Sequence, residues 1–209
     1  MSHEEEKAAK PFQLIAGHVA LDLVNTVDDR FIPSGPMENL ATYDDLLRFA
    51  LQSEILTDRQ VKKLRRSDAS PAAREFVLRQ VRQLREAVAS IAYAHLDGKD
   101  PDPANLAVLE EHLREAAAHR HLAADKLQLA WQWSGLGREI ASPIWLLAQA
   151  ASDLFLSDLS AQIRCCSSDT CAWLFLDTSK NHTRRWCEMK TCGNRMKARR
   201  FHARQSANG

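Results

Sequence analysis

Four of the five cysteines stand in two evenly spaced pairs near the C-terminus, and this spacing constrains the fold more than any other feature. Four residues separate the members of each pair, and fifteen residues separate the two pairs. Four thiolates that two tight turns can bring together form the ligand set of a tetrahedral structural zinc site. The sequence therefore predicts one zinc ion bound by Cys166, Cys171, Cys187 and Cys192.

Disulfides and buried free thiols are the two alternatives for these cysteines. Residues 1–10 are charged and contain no hydrophobic stretch, so we expect them to be disordered and not to be a signal peptide. The longest apolar runs are far shorter than a membrane span. We therefore expect a cytoplasmic protein without a membrane segment, and zinc is favoured because disulfides are rare in that compartment.

Cys165 is the fifth cysteine and directly precedes the first predicted ligand. Adjacent residues of a strand point to opposite faces, so Cys165 and Cys166 should not both face one metal ion. The repeated spacing favours Cys166 as the ligand. We expect Cys165 to be a small packing residue, and a redox switch is the alternative.

The segment between and after the cysteine pairs predicts a treble-clef-like zinc module over residues 164–206. Trp173–Asp177 is typical of a strand and Thr178–His182 is typical of a turn, which suggests a short β-hairpin that returns through residues 184–186 to Cys187. A helix should begin near Cys192. So short a segment cannot bury enough apolar surface alone, so zinc binding should supply folding energy. The expected core consists of three aromatic side chains: Trp173, Phe175 and Trp186.

The motifs of this module resemble those of the CGNR zinc finger. The resemblance rests on the C-x4-C pair, the strand W-L-F-L-D, the turn R-R-W-C and the tetrapeptide C-G-N-R at residues 192–195, and Cys165 departs from it. The stretch G-H-V-A-L-D-L-V-N-T at residues 17–26 resembles the start of the ABATE domain, which usually precedes such a finger. The two resemblances imply a bacterial transcription regulator with the finger as its DNA-binding part.

Residues 11–160 are predicted to form a helical ABATE-like domain, so the fold class is mainly α with a minor β-hairpin. A buried helix is expected at Val19–Val27, and apolar spacing from Val77 to Ile91 indicates a long buried stripe. Later helices should begin at Thr42, Thr57, Ser70, Asp102 and Ser142, where capping boxes or helix-starting prolines stand. The helix that begins at Asp102 should turn Leu106, Leu109 and Leu113 toward the core. Short strands are expected at Phe12–Ile15, His121–Ala124 and Leu127–Trp131.

Three polar residues, Asp22, Asn25 and Thr26, share one face of the first predicted helix. Polar groups in so apolar a helix need hydrogen-bond partners, which neighbouring helices or a small-molecule effector could supply. His18 could join either arrangement. The sequence thus leaves a structural cluster and an effector pocket open.

The sequence contains no nucleophile elbow, zinc-protease motif or phosphate-binding glycine loop. A zinc ion with four protein ligands also offers no open position to a substrate. We therefore expect that the protein is not an enzyme. His112, His119 and His121 could form a second metal site, but a solvated helix end is the favoured interpretation.

The overall net charge of +1 conceals a strong asymmetry along the chain. Residues 164–209 contain ten basic residues (Lys or Arg) and three acidic residues (Asp or Glu). Residues 1–163 contain eighteen basic and twenty-four acidic residues. A compact basic module on an acidic body is typical of a nucleic-acid-binding protein. Duplex DNA is the expected partner, and an RNA- or protein-binding zinc module is the alternative.

The basic residues of the module fall into three groups. Lys197, Arg200 and Arg204 form one stripe of the last helix, and Arg195 and Arg199 form another. Both stripes are candidate DNA contacts, but only one can face the groove fully, and the other is left to flanking phosphates or to the backbone of the module. Arg184, Arg185 and Lys190 precede that helix and are expected to hold phosphates. One small finger covers only about 600–1,000 Å² on DNA, so a homodimer is a further expectation.

Overall fold

The computed structural model describes residues 11–125 and 128–207, so the predicted disorder of residues 1–10 lies outside the described residues. The helices are α1 (Val19–Val24), α2 (Tyr43–Gln52), α3 (Asp58–Arg65), α4 (Pro71–Leu96), α5 (Pro103–Ala118), α6 (Ser142–Phe155) and α7 (Asn194–Ala207). The strands are β1 (Val27–Asp28), β2 (Met37–Glu38), β3 (Arg120–Asp125), β4 (Gln128–Trp133), β5 (Ile163–Cys165) and β6 (Leu174–Leu176). The predicted class, mainly helical with small hairpins and a C-terminal zinc finger, is confirmed.

Both predicted capping boxes begin helices. The Thr42 hydroxyl accepts from the backbone N–H of Asp45, whose carboxylate accepts from the backbone N–H of Thr42. Thr57 and Gln60 make the same reciprocal pair at the start of α3. Each box satisfies backbone donors that the first helical turn leaves unpaired, and such a cap contributes about 1 kcal/mol.

The long helix α4 lies at the centre of the body. Val77, Val81, Leu84 and Val88 form the predicted apolar stripe and are at most 4% exposed. The helix packs against α1, α2, α5 and α6. Complete burial of one such side chain stabilises the fold by about 1.5–3 kcal/mol, so this stripe holds the body together. No helix within the described ranges is long and apolar enough to cross a membrane.

The finger shares one apolar core with the helical body. The antiparallel strands β5 and β6 flank the first cysteine pair, and Leu174, Phe175 and Leu176 are at most 3% exposed. These side chains join the same core cluster as the residues of α1 and α4. The backbone N–H of Leu176 also donates to the carbonyl of Ala16 at 2.7 Å. The body and the finger are therefore packed as one unit.

The hairpin of the finger differs from the predicted one. The sequence analysis placed it after the first cysteine pair, with Trp173–Asp177 as its first strand and the residues before Cys187 as its return. Instead, the partner of β6 is β5, which precedes the knuckle. Asp177 redirects the chain after β6, because its carboxylate accepts hydrogen bonds from the backbone N–H groups of Ser179 and Arg184. Phe175 is buried in the core, whereas Trp173 and Trp186 are half-buried.

Two predicted elements near the N-terminus were wrong. Phe12–Ile15 is not a strand, because the side-chain amide of Gln52 bonds both backbone groups of Phe12 in place of a strand partner. The first helix ends at Val24 and does not continue to Val27.

The inward face of α5 also differs from the prediction. Its buried residues are Leu109, His112 and Ala116, and Leu106 is 43% exposed although it was expected to face the core. One turn earlier, the inward position is occupied by Asn105, whose amide donates to the Ser90 hydroxyl of α4 at 2.9 Å. A polar residue therefore continues the buried stripe, and Leu106 lies beside it.

Candidate zinc centre and nucleic-acid interface

The four predicted ligand cysteines converge on one point. Their Sγ atoms all lie within 4.8 Å of one another, and this is the one group of three or more potential ligand residues that converges within the described residues. The Sγ atoms of Cys171 and Cys187 are 3.6 Å apart, as are those of Cys187 and Cys192. Tetrahedral Zn–S bonds of about 2.3 Å place sulfur atoms about 3.8 Å apart. The cluster fits one structural zinc ion, as predicted.

The electrostatics of the thiols also favour a divalent cation. Hydrogen bonds from Cys171 and Cys187 lower the pKa of Cys166. The same hydrogen bonds raise the pKa of Cys171 and that of Cys187, because each thiol donates to a neighbouring thiolate. One thiolate therefore opposes ionisation of the next, and bound zinc supplies the charge that allows all four to ionise.

The body holds the first knuckle, which contains Cys166 and Cys171. The backbone N–H of Cys166 donates to the Trp173 carbonyl at 2.8 Å, which closes the knuckle at its base. Ala172 has a left-handed backbone with φ of 56°, and its carbonyl accepts a 2.7 Å hydrogen bond from the Tyr93 hydroxyl of α4. The first pair of ligands is thus fixed to the central helix.

The second knuckle leads directly into the last helix. Cys192 lies in a π-helical turn, Met189–Gly193, that immediately precedes α7. A Cβ atom at Gly193 would overlap the Met189 sulfur and lie 3.1 Å from Cδ1 of Trp186. A side chain at position 193 would therefore displace the Met189 thioether, and the zinc ligand Cys192 sets the start of α7.

Arg184 has a structural role in place of the predicted phosphate contact. Its Nε donates to the Trp186 carbonyl at 2.9 Å, and its Nη2 donates to the Cys187 carbonyl. The guanidinium also lies over the Phe175 ring, 4.3 Å from the ring centroid. These contacts turn the side chain inward, where it supports the second knuckle.

One basic side of α7 faces the first knuckle. Nη1 of Arg195 donates to the Thr170 hydroxyl at 3.0 Å. Nη1 of Arg199 lies 2.5 Å from the carboxylate of Asp169, with which it forms an ion pair. Both arginines therefore connect α7 to the knuckle that contains the first two ligands.

The other basic residues face solvent. Lys197 and Arg200 are exposed and make no hydrogen bond or ion pair with any described residue. Arg185 and Lys190 are also exposed, and the Arg185 guanidinium is 5.4 Å from the Trp186 ring centroid. The side chain of Arg204 lies outside the described part of the chain. Lys197 and Arg200 thus define an outer face of α7 that is available to an external anion.

Two family models match this chain. The ABATE model, whose description is "Putative stress-induced transcription regulator", matches residues 17–158. The chain belongs to the ABATE family. The CGNR zinc finger model matches residues 162–205, which contain the cysteine cluster and α7. A search for relatives among curated proteins found no match.

In the ABATE domain, two of the predicted effector residues satisfy local backbone donors. Nδ1 of His18 accepts from the backbone N–H of Ala20 at 3.3 Å, which caps α1, and burial lowers the pKa of this histidine. Oδ1 of Asp22 accepts from the backbone N–H of Ala16 at 3.0 Å. Burial raises the pKa of Asp22 to about 6, although hydrogen bonds from the N–H groups of Ala16 and Ile15 oppose this shift.

Thr26 belongs to a buried ionic network that the sequence analysis missed. Its hydroxyl accepts from Nη1 of Arg85 at 3.1 Å, and Arg85 makes two 2.7 Å hydrogen bonds to the Glu38 carboxylate. Arg85 is only 4% exposed. Arg85 lies four residues after Val81 and three before Val88, so it occupies a position on the apolar stripe of α4. This position could have indicated from the sequence that Arg85 is buried.

Asn25 connects the ABATE domain to the CGNR finger. Its Nδ2 donates to the Leu174 carbonyl at 2.8 Å, and its Oδ1 accepts from the Leu174 N–H at 2.9 Å. The side-chain amide therefore bonds β6 as a neighbouring strand would. All four residues that were predicted to line an effector pocket thus make hydrogen bonds to other parts of the protein. This is the structural cluster that the sequence analysis gave as the alternative to an effector pocket.

A cavity of about 520 Å³ lies at the junction of the ABATE domain and the finger. Asp29 and Arg48 line it on the body side, and Trp173 and Arg195 line it on the finger side. Of the four predicted effector residues, only Asn25 lines this cavity. Its volume lies within the range of about 300–1,000 Å³ that is typical of small-molecule sites.

The remaining candidates do not form a second site. Cys165 packs half-buried against the core, outside the zinc cluster, as predicted. His112 is only 3% exposed, so the prediction of a solvated helix end was wrong for this residue. His119 stacks on Trp145 with 3.5 Å between ring centroids, whereas His121 is exposed. Within the described residues, the three histidines form no convergent ligand group.

Proposed function

We propose that this ABATE-family protein is a cytoplasmic transcription regulator that binds duplex DNA through the outer face of α7. The observation that supports this most is the exposure of Lys197 and Arg200, which lack partners among the described residues while Arg195 and Arg199 are bound to the knuckle. An exposed cationic helix face is suited to the major groove, where Lys and Arg recognise guanine.

The charge distribution supports the same assignment. The ten basic and three acidic residues of positions 164–209 give a net charge of +7, which zinc with four thiolates reduces to about +5. Arg185 and Lys190 are exposed beside α7, where they can hold phosphates and set the position of the helix. The body is acidic, so polyanion binding is directed to the finger.

A regulator has no need of a reaction centre, and the zinc site is consistent with this. The four cysteines complete the coordination of zinc and leave no position for a substrate, so we propose a non-catalytic role. An RNA- or protein-binding zinc module is the second candidate, because a compact basic finger also suits those partners.

We propose the junction cavity as the effector site of this regulator. The carboxylate of Asp29, from the body, has no partner among the described residues, and Arg195, from the finger, retains free guanidinium donors. These opposite charges suit a small zwitterion, such as an amino acid. A ligand that contacts both the body and the finger would stabilise the junction between them. Thermal-shift titration with amino acids should give a stabilisation that Asp29→Asn abolishes.

The DNA assignment is tested by fluorescence anisotropy with the zinc-loaded protein. We expect duplex DNA to bind more tightly than RNA of the same sequence, with an affinity that falls steeply as salt rises because bound cations release counterions. Chelation of zinc should abolish this binding. Equal affinity for duplex and RNA would favour the RNA-binding module, and the absence of salt-dependent binding to either would favour a protein partner.

A further inference from the structure

The junction cavity opens onto the zinc centre. Three of the four ligand cysteines, Cys171, Cys187 and Cys192, line it. Its volume of about 520 Å³ is far more than one zinc ion fills, so a further small molecule fits beside the thiolates. The ligand sulfur atoms are therefore accessible through the cavity, although the finger is packed on the body.

Cys171 is the most accessible of the four ligands. It is half-buried, whereas Cys166, Cys187 and Cys192 are at most 5% exposed. A cysteine that binds zinc is a thiolate, and the thiolate is the form of cysteine that reacts with oxidants. Because susceptibility to oxidation follows thiolate character and exposure, a small oxidant in the cavity should react with Cys171 first.

Cys187 is placed to react with an oxidised Cys171. The Sγ atoms of these two residues are 3.6 Å apart, so they are in contact across the two knuckles. Cys187 also lines the cavity, whereas Cys165 packs against the core outside the zinc cluster and does not line it. The geometry therefore favours a disulfide between two zinc ligands over one that contains the fifth cysteine.

We propose that Cys171 and Cys187 form an oxidation site, where a hydroperoxide that enters the junction cavity converts two zinc ligands into a disulfide. The Cys171 thiolate attacks the hydroperoxide, so that an S–O bond forms and the O–O bond breaks. This gives a sulfenic acid, and the second oxygen leaves as an alcohol, or as water, with a proton from solvent. The Cys187 thiolate then attacks the sulfenic sulfur, so that the S–S bond forms, the S–O bond breaks and hydroxide leaves as water. The two sulfur atoms supply the two electrons that reduce the peroxide.

Formation of this disulfide releases the metal, because it removes two of the four ligands of a tetrahedral site. The second knuckle, which contains Cys187, leads through Cys192 into α7. Loss of the zinc site would therefore disturb the start of this helix. A lower affinity for DNA would follow, and this consequence alone rests on the proposed function. Thiols reduce disulfides, so the change is reversible.

Zinc release and mapping of the cysteines in the full zinc-loaded chain test the oxidation site. Hydrogen peroxide should release about one zinc ion per chain, measured with a colorimetric chelator, and peptide mass spectrometry should find the Cys171–Cys187 disulfide. Dithiothreitol with added zinc should restore the bound metal. Cys165→Ser should change the rate of release less than about twofold, because this side chain lies outside the cluster.

A matched pair of variants tests the role of the cavity. Met37 lines the cavity and is 55% exposed, so Met37→Trp should narrow the cavity and slow zinc release at least about threefold. Phe76 is 53% exposed and does not line the cavity, so Phe76→Trp should change the rate less than about 1.5-fold. Both replaced side chains are exposed, so each variant should keep bound zinc and the far-UV circular dichroism of the native protein.

Four results would overturn the oxidation site. They are zinc that stays bound in hydrogen peroxide, peptides without the Cys171–Cys187 disulfide, a loss of zinc that dithiothreitol does not reverse, and equal rates in Met37→Trp and Phe76→Trp. None of these measurements contains DNA or an amino acid. Failure of the oxidation site is therefore distinguishable from failure of DNA binding or of effector binding.

Discussion

Replacement of Asn25 by alanine should weaken the junction between the ABATE domain and the finger. The Asn25 amide is 4% exposed and bonds both backbone groups of Leu174, which is completely buried. A buried polar group left without a partner costs about 1–3 kcal/mol. Loss of both partners therefore predicts a decrease of about 2–6 kcal/mol in the free energy of unfolding. Since native domains are stable by only about 5–15 kcal/mol, this is a large effect.

Urea denaturation followed by circular dichroism and tryptophan fluorescence measures this change. Asn105→Ala is the matched control, because it removes a single, partly buried hydrogen bond to Ser90 and should cost about 1 kcal/mol. If Asn25→Ala costs no more than this control, the backbone groups of Leu174 find other partners and the amide does not hold the junction.

Three further predictions concern zinc, pH and the arginines. Chelation of zinc, or Cys187→Ser, should destabilise the helices together with the finger, because both share one core. Calorimetry should then show a single unfolding transition at a lower temperature, and two separate transitions would contradict the shared core. The stability of Asp22→Asn relative to wild type should rise by about 2 kcal/mol as the pH increases from about 4 to 7, because the pKa of Asp22 is about 6 in the folded chain and lower in the unfolded chain, so the wild type loses stability over this range. A difference that does not change with pH in urea titrations would refute this. Arg184→Gln should lower the melting temperature, whereas Arg185→Gln should weaken DNA binding at unchanged melting temperature; the reverse pattern would contradict the assigned roles.

Local signals predicted much of the fold. The capping boxes at Thr42 and Thr57 each specify a helix start through side chains three residues apart, and the apolar spacing of α4 identifies its buried face. The cysteine spacing likewise predicted the zinc site, because each pair is closed by one short turn. Interactions between residues that are only a few positions apart in the chain can be predicted from a single sequence.

The junction was not predictable in the same way. Asn25 and Leu174 are 149 residues apart in the chain, and a helical pattern gives the face of a residue without naming its partner. The sequence therefore left both a structural role and an effector pocket open for Asn25. The cavity found beside it combines Asp29 with Arg195, which only the packing of the finger on the body brings together.

The two basic stripes of α7 also look equivalent in the sequence. Their roles diverge because Asp169 and Thr170, in the first knuckle, bind Arg199 and Arg195. The basic residues beside Arg184 in the sequence suggested that it holds a phosphate. In the structure it donates to the carbonyls of Trp186 and Cys187, which only the folded knuckle brings within its reach.

The central claim is that the outer face of α7 binds duplex DNA. Its most direct test is the affinity of the double variant Lys197→Gln/Arg200→Gln for duplex DNA across a range of salt concentrations. The charge-matched control is Lys63→Gln/Arg66→Gln, which removes two exposed charges from the body. We expect the α7 variant to bind at least about tenfold more weakly, with a salt dependence reduced by about two released counterions, and the control to bind as the wild type does. Equal losses in both variants would contradict the claim.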